Sequence, residues 1–215
     1  MGQFGIAGGE AQEQSPWVGA FPDPSPGDEP ADLYLVVEPA IPGSEEFCAE
    51  LVAAIGKVFH RRRASLTGGL LRALKAAHDD LREWNRKSIK EHRVAAGVSC
   101  LALRRNEAYL AQVAPASAAL YRQGSLSALE PRLPDAAEPL GLDDDFWPDF
   151  SRVELQEGDR LLLLSPSLAK ALPPAELSAA LALPAEEALP ALYRQARALP
   201  NCGALLVAAL PDSPS

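Results

Sequence analysis

Two helical patterns follow each other along the chain with no strand between them, and strand-like segments lie on either side of the pair. The first helix is predicted to begin after Ser44, its expected N-cap, and to end at the basic run of residues 60–63. The second covers about residues 67–91 and carries one apolar stripe at helical spacing. Helices grouped in this way, instead of alternating singly with strands, favour an α+β fold with mostly antiparallel sheets over a Rossmann-type βαβ alternation.

The predicted strands are short apolar or alternating segments bounded by turn residues. They lie at residues 33–37, 95–104, 108–113, 117–123, 152–155, 160–164 and 204–210. Residues 105–107 join the second and third segments as in an antiparallel hairpin, and a tight turn at residues 157–159 separates the fifth from the sixth. Two short helices, at about residues 174–181 and 185–199, are predicted before the last strand.

Proline is concentrated near the N-terminus, where seven of the 20 prolines fall between residues 16 and 42. Proline fixes φ and lacks a backbone N–H, so the densest part of this stretch cannot form a helix or a central strand. We therefore expect an exposed loop at residues 16–31. A chain of 215 residues is long enough to enclose one shared core, so we predict a single domain over residues 1–215 with a flexible tail at 211–215.

Composition and charge exclude several classes of function. The longest apolar runs are far shorter than the roughly 20 residues of a membrane-spanning helix, and the first residues lack the pattern of a secretion signal, so we expect a cytoplasmic protein without membrane contact. A net charge of −9 argues against nucleic-acid binding. Cys48, Cys100 and Cys202 match no zinc-site spacing and are predicted to be buried reduced thiols, and no cofactor is expected.

Four collinear segments resemble a known family. Residues 155–168 read L-Q-E-G-D-R-L-L-L-L-S-P-S-L, and segments at residues 33–38, 108–124 and 201–207 accompany this motif in a fixed order. Together they resemble the metal-dependent serine/threonine protein phosphatases of the PPM family, whose pattern at the first motif is L-x-x-G-D-x-L-L-L-x-S-D-G-L. The resemblance implies a sandwich of two antiparallel β-sheets flanked by pairs of α-helices, which agrees with the predicted element order.

The same resemblance implies that the catalyst is missing. The family holds two divalent cations on a cluster of aspartates, and a bridging water attacks the phosphoryl group. The corresponding positions here are Glu38, Pro115, Pro166 and Pro200, and a looser match near the N-terminus places Trp17 at a further ligand. Proline has no side-chain oxygen, and one carboxylate cannot compensate two hard cations. The expectation is a degenerate metal site and no catalytic residue.

We therefore interpret the chain as a PPM-like pseudophosphatase: not an enzyme, but a protein-binding regulatory module. Its expected partner is a protein, by analogy with the family a phosphoprotein or a kinase. Two alternatives stay open. A weak or unusual metal-dependent phosphatase would require two carboxylates that converge near Glu38. A sensor of an anionic ligand would use the vacated cleft or the locally basic stretch of residues 57–93.

Two groups of side chains are candidates for partner binding. Arg61, Arg62 and Arg63 form the basic run after the first helix, and solvated helix faces are the alternative interpretation. The aromatic residues Phe146, Trp147 and Phe150 interleave with an acidic loop at residues 143–149. Aromatic anchors dominate the energetics of many interfaces, although these rings could instead fold back on the sandwich.

Overall fold

Two antiparallel sheets pack face to face in the computed structural model of the chain, which describes residues 1–12, 14–23, 30–61, 65–132, 137–145 and 147–210. The first sheet has the order β2-β1-β11-β10-β7-β8, and the second has the order β3-β4-β5-β6-β9. The strands are β1 (Gly2–Ala7), β2 (Glu10–Gln12), β3 (Val18–Phe21), β4 (Asp32–Pro39), β5 (Ala96–Arg104), β6 (Glu107–Val113), β7 (Ser117–Arg122), β8 (Ser125–Ala128), β9 (Asp149–Glu154), β10 (Arg160–Leu164) and β11 (Cys202–Ala208).

Helices cover the outer face of each sheet. The second sheet is covered by α1 (Glu45–Phe59) and α2 (Leu66–Lys87), and a short 3-10 turn, Lys90–His92, follows. The first sheet is covered by α3 (Pro166–Ala171), α4 (Pro174–Ala182) and α5 (Ala185–Ala196). The predicted α+β sandwich is thus confirmed. No helix among the described residues is both long and apolar enough to cross a bilayer.

The alternation of side chains along a strand explains why β4 is apolar throughout. Leu33, Leu35 and Val37 point to the α1–α2 layer, whereas Tyr34 and Val36 point to the opposite sheet. Both faces of the strand are therefore buried, which is the situation in which a strand has a continuous apolar sequence. The polar end of β4, at Glu38, is where this burial stops.

The structure corrects the sequence-based prediction at several points. Strands β1, β2, β3 and β8 and helix α3 were not predicted. Strand β3 lies inside the segment expected to be an exposed loop, where it pairs with β4. The turn at residues 157–159 is present, but β9 pairs with β6 in the second sheet and β10 pairs with β7 and β11 in the first. Periodicity detects a strand but does not assign its sheet. The predicted tail at 211–215 lies outside the described residues.

Ser44 occupies the predicted N-cap position of α1, yet it does not cap the helix. Its hydroxyl accepts a hydrogen bond from the Ala95 backbone N–H at 2.9 Å, and no side-chain cap of α1 is formed. The contact ties the start of α1 to the start of β5, and Ala40 N–H donates to the Ala95 carbonyl beside it. Both contacts fix the end of β4, where the candidate site lies.

Candidate functional site

The four positions that the resemblance assigned to metal ligands lie at one edge of the sandwich. Glu38, near the end of β4, is the register partner of Gly97 in β5. Pro115 follows β6 and packs so closely on Gly97 that a Cβ there would lie 1.7 Å from the Pro115 carbonyl oxygen. Pro166 begins α3 directly after β10, and Pro200 lines the same small cavity as Glu38.

The Glu38 carboxylate is bound by the chain itself. The Ser167 backbone N–H lies 3.1 Å from Oε1 and 3.4 Å from Oε2 of Glu38, and the Ser167 hydroxyl lies 3.3 Å from Oε2. The first N–H groups of a helix have no partner inside that helix, so an acceptor from elsewhere satisfies them. Because Ser167 is the second residue of α3, Glu38 serves as that acceptor.

A second serine completes the arrangement. Ser165 is buried, and its hydroxyl caps α3 by accepting from Leu168 N–H at 3.4 Å and also accepts from Gly203 N–H at 3.2 Å. The same oxygen lies 2.9 Å from the Ser167 hydroxyl. Sequence reasoning identified Ser165 and Ser167 only as parts of a motif and missed this role. The signal was present, since a serine before a proline is typical of a helix N-terminus.

Burial is the largest cause of the shifted pKa values at this edge. Burial raises the pKa of Glu38, and the hydrogen bonds from Ser167 and Ser165 offset this effect only in part. Burial, with the nearby charges of Glu45 and Glu38, raises the pKa of the Cys48 thiol to about 12, and burial with the charge of Glu38 raises that of Cys202 to about 11. All three cysteines are free and buried, as predicted.

The cavity beside Glu38 is small and mainly apolar. Its volume is about 250 Å³, and its walls are Trp17, Glu38, Pro39, Ser167, Leu199, Pro200, Asn201 and Cys202. Trp17, at the position loosely mapped to a ligand, is buried, and its indole N–H donates to the Glu45 carbonyl at 3.1 Å. The ring therefore fills space at this edge and offers no oxygen to a cation.

These side chains do not fit a two-cation centre. Both oxygens of Glu38 already accept hydrogen bonds. The three prolines have no side-chain oxygen that could bind a cation. Within the described part of the chain, no group of three or more His, Cys, Asp or Glu side chains comes together in a way that could hold a metal ion. The chemistry available here is hydrogen bonding and apolar contact.

The residues predicted to bind a partner lie in different surroundings. Arg61 is exposed after α1, and its carbonyl accepts from the Arg72 guanidinium at 3.4 Å. Trp147 is 46% exposed, whereas Phe150 is partly buried against the core beneath α1 and α2. Phe150 is thus a packing residue. Arg62, Arg63 and Phe146 lie outside the described residues.

Comparison with known proteins defines the fold. No protein-family model matches the chain, and no curated protein matches it. Among solved structures it is similar to PppA, a key regulatory component of T6SS in Pseudomonas aeruginosa, with 18% identity, a TM-score of 0.74, and coverage of 97% of this chain and 96% of that one. It is also similar to the PPM Ser-Thr phosphatase MsPP from Mycobacterium smegmatis in complex with cacodylate, with 15% identity, a TM-score of 0.71, and coverage of 98% and 99%.

A third similar structure is the catalytic domain of the serine/threonine protein phosphatase PstP in complex with two manganese ions, with 14% identity, a TM-score of 0.69, and coverage of 98% of this chain and 100% of that one. The chain therefore has the fold of PPM serine/threonine phosphatases over nearly its whole length. Fold similarity at this level of identity does not carry an activity with it.

Proposed function

We propose that this chain is a pseudophosphatase: a PPM-fold protein without bimetal phosphoryl hydrolysis that acts as a protein-binding regulatory module. One observation carries the proposal. Glu38, the only mapped ligand position with a carboxylate, is used as the acceptor for the first turn of α3. A bridging water activated by two cations has no set of oxygen ligands here.

The alternative of a weak metal-dependent phosphatase needs a second carboxylate beside Glu38. Ser167 donates hydrogen bonds to Glu38. The rest of the cavity wall consists of apolar side chains together with Asn201 and Cys202, and within the described ranges of the chain it contains no second carboxylate. Mg²⁺ and Mn²⁺ require several oxygen ligands and charge compensation. The wall chemistry favours the non-catalytic function.

A protein partner is supported by the surface that replaces the metal centre. The cavity of about 250 Å³ is bounded by Trp17, Pro39, Leu199 and Pro200, and it lies at the edge that carries the mapped ligand positions Glu38 and Pro200. A concave apolar site of this size suits one apolar side chain of a partner, the kind of anchor that dominates protein interfaces. PppA, which has a similar structure, is described as a regulatory component, and we propose a regulatory role for this chain as well.

Calorimetric titration of Mn²⁺ into the chelator-treated chain tests the absence of the metal centre. We expect no heat above dilution and no hydrolysis of an aryl phosphate. The matched control is the triple variant Pro115→Asp, Pro166→Asp, Pro200→Asp, which restores the mapped carboxylates and should bind Mn²⁺ if it folds. Micromolar binding to the natural chain with a stoichiometry near two would overturn the proposal.

A charged substitution at the cavity rim tests the protein-binding role. A partner recovered with the natural chain should be lost with Pro200→Glu, because a charge at the rim opposes burial of an apolar anchor. Pro174→Glu is the control, since Pro174 is also exposed but starts α4. Equal binding by the two variants would show that the Glu38 edge is not the docking surface.

A further inference from the structure

A second cavity, of about 440 Å³, lies between the end of α2 and the loop that precedes β9. Three arginines line it: Arg82 and Arg86 from α2, and Arg93 from the segment after the 3-10 turn. The remaining walls are Asn85, Gly141, Leu142 and Asp144. The sequence showed only that residues 57–93 are rich in basic side chains, and it pointed to residues 61–63 instead of these three.

The walls of this cavity are held in place by buried hydrogen bonds. The Asn85 amide donates to the carbonyls of Val94 at 2.8 Å and Gly141 at 2.7 Å, and its oxygen accepts from Val94 N–H at 2.8 Å. His78 Nδ1 accepts from Gly141 N–H at 3.3 Å. Because Arg93 directly precedes Val94, these contacts fix the arginine-bearing backbone against α2. The cavity is preorganised, and binding requires little ordering of the backbone.

The loop that contains Gly141 also packs closely on α2. Gly141 has φ +94°, and a Cβ there would lie 2.6 Å from the Leu81 Cβ. Only glycine adopts this backbone conformation without strain and also permits such an approach. The Gly141 loop therefore forms a fixed wall of the cavity, held against the helix that carries Arg82 and Arg86.

The positive charges in the cavity are only partly compensated. Arg82 pairs with Asp144, whose side chain is 87% exposed, and Arg86 shares Glu83 with Lys87. Among the residues that the structure describes, Arg93 makes no ion pair. Exposed ion pairs contribute little free energy, so Asp144 can leave Arg82 at small cost. A phosphate group carries more charge than a carboxylate and forms bidentate hydrogen bonds with guanidinium groups.

We propose that this cavity binds a phosphate group, either inorganic phosphate or the phosphate of a monoester, between Arg82 and Arg93, and that Asp144 occupies Arg82 when the ligand is absent. Arg86 adds electrostatic attraction but makes less direct contact, because it is paired with Glu83. The site is separate from the Glu38 cavity. Its existence does not depend on whether Glu38 binds a metal, so the two proposals can fail independently.

The test is a titration of the full chain with inorganic phosphate at low ionic strength, in which NMR or calorimetry measures the binding affinity. Arg93→Gln and Arg82→Gln should each weaken binding about tenfold, since each removes a charge-assisted hydrogen bond. Asp144→Asn should tighten binding about threefold, because the competing carboxylate is neutralised. Arg152→Gln is the matched arginine control, because Arg152 is exposed and pairs with Glu107 on the second sheet. Asp79→Asn is the matched aspartate control on α2.

Three outcomes would overturn the proposal: equal weakening by Arg93→Gln and Arg152→Gln, no weakening by Arg93→Gln, or equal tightening by Asp144→Asn and Asp79→Asn. Equal weakening or equal tightening would mean that phosphate senses only the general charge of the surface, and no weakening by Arg93→Gln would mean that Arg93 does not bind phosphate. Arg93 is exposed, so its variant remains decisive even if Arg82→Gln shifts the thermal unfolding temperature. A parallel titration with a short phosphoserine peptide separates the sources: tighter binding than inorganic phosphate identifies a monoester on a protein segment, and equal or weaker binding identifies the free anion.

Discussion

An acidic residue lies near each end of strand β10, and the two carboxylates have different partners: a charged guanidinium at one end and neutral groups at the other. Asp159 precedes the strand, is buried, and receives the Arg122 guanidinium at 2.5–3.2 Å together with the Gln156 backbone N–H at 2.7 Å. Glu38 faces the residues after the strand and accepts hydrogen bonds from serine groups, the Ser167 N–H and hydroxyl among them, with no arginine like Arg122 in these bonds. Burial opposes ionisation of Asp159, yet its partners hold its pKa below the usual range, whereas the pKa of Glu38 is raised.

The difference separates two roles within one motif. In residues 155–168 the Gly158-Asp159 half keeps the family pattern, and its ion pair ties β10 to β7 through Arg122. The other half has Pro166 and Ser167 where the family has Asp and Gly, and it serves to start α3. The Asp159 half of the motif thus stabilises the sandwich through an ion pair, and the Pro166 half begins a helix.

The largest expected effect concerns the backbone at the Glu38 end. Gly97→Ala should cost about 3 kcal/mol or more, because the new Cβ would lie 1.7 Å from a backbone oxygen that cannot move without shifting Pro115. Gly158→Ala, at the Asp159 end, meets no atom within 4 Å and should cost only about 1 kcal/mol for its φ of +84°. Urea unfolding measures both. Equal losses would mean that the Glu38 edge is loosely packed.

Asp159→Asn should be the next most damaging change. It leaves Arg122 without its buried partner, and we expect a loss of about 2–3 kcal/mol at neutral pH. Because the folded pKa of Asp159 is lowered, its stabilisation is present above the unfolded pKa of about 4 and is lost as pH falls through the folded pKa. The difference in the free energy of unfolding between the natural chain and Asp159→Asn should decrease when unfolding is measured from pH 7 to pH 3. A constant difference would contradict the ion-pair explanation, and exposed Asp79→Asn serves as the control.

Glu38→Gln should have the smallest effect on the free energy of unfolding, and it should stabilise the chain instead of destabilising it. Gln can still accept from the Ser167 N–H but carries no charge to desolvate, so we expect a gain of up to about 1 kcal/mol at neutral pH. The raised folded pKa means that Glu38 stabilises the fold fully below its unfolded pKa of about 4 and loses this contribution as pH rises through the folded pKa. The gain should therefore vanish near pH 4. A loss that grows with pH would mean that the ionised carboxylate has a cationic partner.

Local sequence predicted most of the elements because their causes are local. The apolar stripe of α2 and the hairpin of β5 and β6 follow from spacing and turn residues, and both are present. Two of the three missed N-terminal strands, β2 and β3, are short edge strands, and β3 lies between prolines. Such strands depend on their neighbours more than on their own sequence.

The sequence by itself determined the order of most elements from β4 onward, the two-sided burial of β4 and the chemistry of the mapped ligand positions, since proline lacks a side-chain oxygen in any fold. Only the tertiary structure decided that β9 and β10 belong to different sheets, that Glu38 meets a serine 129 positions away, and that Arg82 meets an aspartate 62 positions away. These contacts join distant parts of the chain, and their geometry depends on strand pairing and layer packing, which no local pattern encodes.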